Sequence, residues 1–124
     1  MITGFDHIVL CVKDVSRTVE FYTDHLGMVA KEERPGKWAL HFGDQKISLQ
    51  DADHAPAMAK NTTVGSGNFC LICAAPVEGV AERLTANGIE IIEGPAERLG
   101  ATGKILSIYF RDPDGNLVEV CNSL

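Results

Sequence analysis

The 124-residue chain has no basic run, no long apolar run and few cysteines, and each absence closes off a class of function. Its 11 Lys and Arg are outnumbered by 17 Asp and Glu, giving a formal charge of −6 at pH 7 and a pI near 5.1. Nucleic acids and anionic membrane surfaces both select for a concentrated basic face, so neither is an expected partner. No apolar stretch approaches the roughly 18 residues of a spanning helix. Met1-Ile2-Thr3 runs straight into a strand-like pattern, so the expected location is the cytoplasm. Cys11, Cys70, Cys73 and Cys121 all lie in apolar strand-like runs rather than loops. They read as reduced, small core residues instead of a disulfide framework. Cys70-Leu71-Ile72-Cys73 spells C-x-x-C, but residues three apart on a strand point to opposite faces, which disfavours redox and zinc readings.

What is present is the balance of a folded domain: 45% hydrophobic and 23% charged residues in a length that suits one domain. Residues 5 to 12 alternate, placing Phe5, His7, Val9 and Cys11 on one face and Ile8, Leu10 and Val12 on the other. Asp14 or Ser16 then offers a helix cap, Val15, Val19, Tyr22 and Leu26 recur at helical spacing, and Gly27 supplies a stop. Strand patterns follow at about 28–34, 38–43 and 46–51, punctuated by Pro35-Gly36 and Gly43-Asp44.

The order then repeats. After a linker-like stretch at about 52–67, which contains Pro56, come a strand at 68–73, a helix at about 77–87 stopping at Gly88, and strands near 89–93, 105–111 and 116–121. At an offset of 61 residues Gly4, Leu10, Val19 and Gly27 meet Gly65, Leu71, Val80 and Gly88, while His7 meets Asn68. Repetition of strand, helix stripe and helix stop together marks a duplicated unit. The expected fold is α+β: a single domain over 1–124, with βαβββ modules at about 4–51 and 68–121. Their curved mixed sheets form a cleft on the faces that the helices leave uncovered. By the same alternation that open face collects His7, Ser48, Gln50, Asn68 and Glu119.

Unpaired, a carboxylate inside the apolar strand around Glu119 would be costly to bury, so it needs a metal, a basic group or water. Asp112-Pro113-Asp114-Gly115 is explained by turn chemistry alone. Arg98 and Lys104 flank the Gly100–Gly103 loop, where they could meet an anionic group at the mouth of the cleft.

Two segments, FDHIVLCVKDVSRTVEFYTDHLGM at 5–28 and IYFRDPDGNLVEV at 108–120, resemble the vicinal oxygen chelate superfamily of glyoxalase, bleomycin-resistance and extradiol dioxygenase proteins. The overall look is closest to small glyoxalase-domain, lactoylglutathione-lyase-like proteins. The resemblance implies a homodimer and a divalent metal, Mn, Fe, Ni, Co or Zn, held by residues from the first and last strands of each module. Two coordination positions stay open for the oxygens of a small substrate. Carried over position by position, the four ligand stations fall on His7, Ser48, Asn68 and Glu119, with Gln50 able to offer a side-chain oxygen near Ser48.

The implied metal set is therefore His7, Gln50 and Glu119, with Glu119 and Gln50 also the implied catalytic groups. Ser48, Asn68, Arg98 and Lys104 are further cleft candidates. Glyoxalase I chemistry in this family uses glutamate where the chain has Ser48, and extradiol iron sites use a second histidine where it has Asn68. Both departures point away from those two activities, and Lewis-acid polarisation of a chelated carbonyl or oxyanion by the implied metal makes a lyase, isomerase or group-transfer reaction the expected class. The rival reading is a metal-free protein that binds or sequesters a small molecule, as bleomycin-resistance-like relatives do.

Overall fold

A computed structural model describes residues 1–54 and 58–124 and divides into two compact units, Met1–Ser66 and Gly67–Leu124. Pro56 of the expected linker lies outside the described residues.

In the first unit the alternating run becomes strand β1 (His7–Val12), followed by helix α1 (Val15–Leu26) and strands β2 (Val29–Arg34), β3 (Lys37–Phe42) and β4 (Gln45–Asp51). The sheet order is β1-β4-β3-β2, with β1 parallel to β4 and the other pairs antiparallel. Helix α1 starts at Asp14, whose side chain accepts from the Arg17 N–H at 3.1 Å, and stops where Gly27 turns left-handed at φ 69°. Its inner stripe packs against β2, β3 and β4. Tyr22, Leu40 and Ile47 are each at most 1% exposed. Burying an aliphatic side chain of that size contributes about 1.5–3 kcal/mol, so this face is the core and the opposite one is left open. Val9 on the open face is 57% exposed.

The second unit repeats the plan with β5 (Asn68–Ile72), α2 (Val77–Ala86), β6 (Glu93–Leu99), β7 (Lys104–Arg111) and β8 (Leu117–Ser123) in the order β5-β8-β7-β6. Here β5 is parallel to β8. Pro76 precedes α2 and has no side chain with which to cap it. Asn122 on β8 does so instead: its Oδ1 accepts from the Val77 N–H at 2.8 Å, while its Nδ2 donates to the carbonyls of Cys73 and Ala75. Val77, Leu84, Ile108, Phe110 and Val118 are fully buried and form the core of this unit. The architecture is α+β, two tandem βαβββ modules, each an open four-stranded mixed sheet with a helix on one face.

One element departs from expectation. The strand expected at 89–93 forms instead at Glu93–Leu99. Ile89 is spent on ending α2, its N–H reaching back to the Leu84 carbonyl at 3.0 Å across left-handed Gly88. Pairing with β7 then shifts register between Glu93 and Ala96, around Gly94-Pro95. Gly and Pro read locally as a turn, yet a bulge lets the strand continue through them.

Candidate functional site

On the open face of the first sheet, parallel pairing sets His7 beside Lys46, Val9 beside Ser48 and Cys11 beside Gln50. The His7 side chain is 44% exposed, and its Nδ1 lies 2.7 Å from Asp6 Oδ1. That hydrogen bond and the nearby imidazole charge hold the Asp6 carboxyl below its ordinary range. It also leaves Nε2 as the ring atom that can take a metal. A histidine ligand held through its remote nitrogen by a carboxylate is the arrangement metal sites use to fix tautomer and ring direction.

Ser48 is buried between Val9 and Ala39. Gln50 lines a cavity of about 300 Å³ with Val9, Cys11, Lys37, Met58 and Thr62. Farther across the same face, Glu33 joins two strands: its carboxylate accepts from Lys46 Nζ at 2.8 and 3.0 Å and lies 3.2 Å from His41 Nε2. The hydrogen bond from Lys46, and less strongly the Lys46 charge and His41, hold the Glu33 carboxyl below its usual range against the opposing effect of burial.

The second sheet presents Glu119 on its open face, between Cys70 on β5 and Tyr109 on β7. The Tyr109 hydroxyl donates to Glu119 Oε1 at 2.6 Å, and the Arg98 guanidinium lies 5.6 Å from the centre of the Tyr109 ring. Arg98 also donates to Glu93 Oε1 at 2.5 Å. Burial alone would push the Glu119 carboxyl up. The Tyr109 hydrogen bond, the adjacent Ser107 hydroxyl and Cys70 thiol, and the Arg98 charge together hold it below the ordinary carboxylate range.

These groups border a groove of about 540 Å³ whose walls include Ile72, Leu99, Ala101 and Ile105. Ile72 and Leu99 are 83% and 85% exposed, so the groove sets an ionised carboxylate beside a large apolar surface.

The two grooves occupy equivalent stations of the duplicated module. Val9, Cys11 and Gln50 in the first correspond by register to Cys70, Ile72 and Cys121 in the second. Ser48 corresponds to Glu119 by the same pairing.

His7, Ser48 and Gln50 thus share one face of the first unit, and Asn68 and Glu119 share one face of the second, with Asn68 exposed at the strand start beside Leu117. Arg98 borders the groove; Lys104, one residue before groove-lining Ile105, does not. Among the described residues, no group of three or more His, Cys, Asp or Glu side chains forms a ready metal cage.

Sequence reasoning passed over Asp6 and Tyr109 and read Cys70 as a core residue. Cys70 is exposed in the groove and not a core residue, because the alternation of β5 turns it to the open face. Partial burial, then Cys121 and Glu119, push its thiol well up, which makes it a weak nucleophile. Strand alternation through Ser107-Ile108-Tyr109-Phe110 was the available signal for Tyr109, since it puts that ring on the Glu119 face.

The family model of the glyoxalase/bleomycin resistance protein/dioxygenase superfamily matches residues 4–120. The chain belongs to that superfamily. It is 46% identical over 122 residues to Virulence protein STM3117 of Salmonella typhimurium, covering 97% of this chain and 84% of that protein. The crystal structure of that virulence protein superposes with a TM-score of 0.95 at 43% identity, over 100% of this chain and 99% of the other. Metallothiol transferase FosB of Shouchella clausii is 29% identical over 124 residues, 97% of this chain and 80% of that one. The crystal structure of lactoylglutathione lyase from Agrobacterium tumefaciens is similar at a TM-score of 0.76 and 27% identity, over 98% of this chain and 95% of the other.

The superfamily's divalent metals suit the donors found here. Imidazole nitrogen, carboxylate oxygen and amide oxygen form a mixed set that first-row divalent ions accept. His7 and Glu119 are each already oriented through a second atom, His7 by Asp6 and Glu119 by Tyr109.

Proposed function

We propose that the protein is a divalent-metal-dependent lyase, isomerase or group-transfer enzyme acting on a small, oxygen-chelating metabolite or xenobiotic. His7, Gln50 and Glu119 are its metal-facing residues, and Glu119 and Gln50 are the groups beside the reacting atoms. The observation that carries this reading is the state of the two best-matched ligand stations. Each lies on the open face of its sheet, and His7 has its Nδ1 engaged by Asp6, which leaves Nε2 as the nitrogen for a metal bond. A bound metal would supply Lewis-acid polarisation of a chelated substrate oxygen. The chain supplies a carboxylate held ionised, which ligates without first losing a proton, and apolar groove walls that exclude water from one side of the substrate.

The names of FosB and lactoylglutathione lyase support metal-assisted transfer and lyase chemistry as the class. A second copy of the chain is part of the same reading, supported by exposed Val9 and Val29 on one open face and Ile72 on the other. So is a cytoplasmic setting: no helix among the described residues is long and apolar enough to cross a membrane.

A second reading, a metal-free protein that sequesters a small molecule, is favoured by one observation. Two of the four ligand stations carry Ser48 and Asn68, which are poor ligands.

Elemental analysis of protein purified without added metal separates the two. The enzyme reading expects stoichiometric metal in the native protein, lost in both His7→Ala and Glu119→Gln. Metal-free native protein whose melting temperature ignores added Mn²⁺, Ni²⁺ and Zn²⁺ would overturn it and leave the binding protein.

A further inference from the structure

We propose that Tyr109 is a positioning residue for Glu119: its phenol engages one carboxylate oxygen, so that Glu119 presents the other, alone, to the metal. This rests on the metal reading above and adds the way in which the carboxylate is held.

Three observations converge on it. Tyr109 and Glu119 are direct cross-strand partners, and the hydroxyl reaches Oε1 at 2.6 Å, the length of a strong hydrogen bond to a charged acceptor. The ring is itself held, with the Arg98 guanidinium 5.6 Å from its centre and Arg98 anchored in turn by Glu93. The third comes from the duplication within the chain. Where the second module pairs Tyr109 with Glu119, the first pairs Ala39 with Ser48. The phenol is present where the carboxylate is present and absent where it is absent.

Packing does not account for the ring. Tyr109 is only half-buried and borders the groove together with Glu119, whereas its sequence neighbours Ile108 and Phe110 fill the core. Outer partners of metal ligands fix the direction of the donor atom, and losing one typically weakens metal binding about 10- to 100-fold.

The test compares wild-type protein, Tyr109→Phe, His7→Ala and Glu119→Gln by calorimetric titration of stripped protein with Mn²⁺, alongside the visible spectrum of the Co²⁺-loaded forms. The expected result for Tyr109→Phe is an Mn²⁺ Kd weaker by about 10- to 100-fold and an altered Co²⁺ spectrum, while the melting temperature of the stripped protein stays close to wild type.

A second measurement on the unmutated chain guards against misfolding of the variant. Tyr22 and Tyr109 are the two tyrosines and Tyr22 is fully buried, so metal addition should perturb the near-ultraviolet absorption of Tyr109. Unchanged Mn²⁺ affinity and Co²⁺ spectrum in Tyr109→Phe, with His7→Ala and Glu119→Gln both losing metal, would sink the positioning role and spare the metal site. If neither His7→Ala nor Glu119→Gln changes Mn²⁺ binding, or the wild type binds none, the metal reading fails and the positioning role falls with it.

Discussion

Glu119 and Ser48 hold the same station in two copies of one module: Glu119 lies between Cys70 and Tyr109, Ser48 between Val9 and Ala39. The surroundings have diverged with the residue. A carboxylate in the second module meets a hydroxyl donor on the next strand, whereas at Ser48 both flanking side chains are aliphatic.

Ser48→Glu should therefore destabilise the protein. Ser48 is 8% exposed with no donor opposite, so the new carboxylate loses solvation without gaining a partner. The expected loss is about 1–3 kcal/mol, read from urea denaturation. Adding Ala39→Tyr, which places a phenol on the neighbouring strand as Tyr109 does, should recover part of it. A double variant no more stable than Ser48→Glu would show that the pairing does not transfer between modules.

Asn116 sits at the join of the turn after β7 and the start of β5. Its Oδ1 accepts from the Gly67 N–H at 2.6 Å and its Nδ2 donates to Asp112 Oδ2 at 2.8 Å, all at a fully buried side chain. Asn116→Ala removes both of these bonds and takes the side-chain acceptor from the Gly67 N–H; the expected cost is roughly 2–4 kcal/mol. Amide hydrogen exchange should accelerate first at Gly67 and along β5. Wild-type protection there would refute the assignment.

Gly94 has φ +97°, and a Cβ at this position would run into the Ser107 carbonyl of the neighbouring strand. Gly94→Ala is expected to cost at least about 2 kcal/mol and to loosen β6 from β7. Because Ser107 and Tyr109 lie on that strand, the near-ultraviolet circular dichroism of Tyr109 should change too. Gly79→Ala, in helix α2 with open space at its Cβ, is the control and should be neutral or slightly stabilising.

Glu33 carries the pH dependence expected of the first module. Its carboxyl is held below the unperturbed value of 4.5, chiefly by the hydrogen bond from Lys46. A group whose folded-state value is depressed stabilises the fold above its unfolded value, and that stabilisation disappears as pH falls through the folded value. Melting temperature should therefore drop more steeply in wild type than in Glu33→Gln between about pH 5 and pH 3. The difference should shrink in about 1 M salt, since the pair is near the surface. Parallel pH profiles would show that the ion pair adds nothing.

Much of this molecule was legible from its residues because strand alternation and helix stops are local signals. His7, Val9 and Cys11 fell on one face and Leu10 and Val12 on the other because side chains on a strand alternate. Gly27 and Gly88 ended the helices because each supplies a left-handed residue. The position of β6 was hidden, since the isoleucine-rich Ile89-Glu90-Ile91-Ile92 looked like a strand while Gly94 and Pro95 looked like its end. Only the pairing with β7, a non-local interaction, decides otherwise. Tyr109 was hidden for another reason. Tyrosine is an ordinary strand residue, and its partner is ten positions away in sequence but adjacent across the sheet.

The equivalence of the two grooves bears on how such a chain changes over generations. In a protein with one cavity, the side chains that choose a ligand also carry its chemistry, so neither property can drift alone. Here Val9, Cys11 and Gln50 shape one groove and Cys70, Ile72 and Cys121 the other, while the carboxylate and its phenol are confined to the second module. Mutation around Val9 and Cys11 can therefore reshape the first groove while Glu119 and Tyr109 of the second stay as they are.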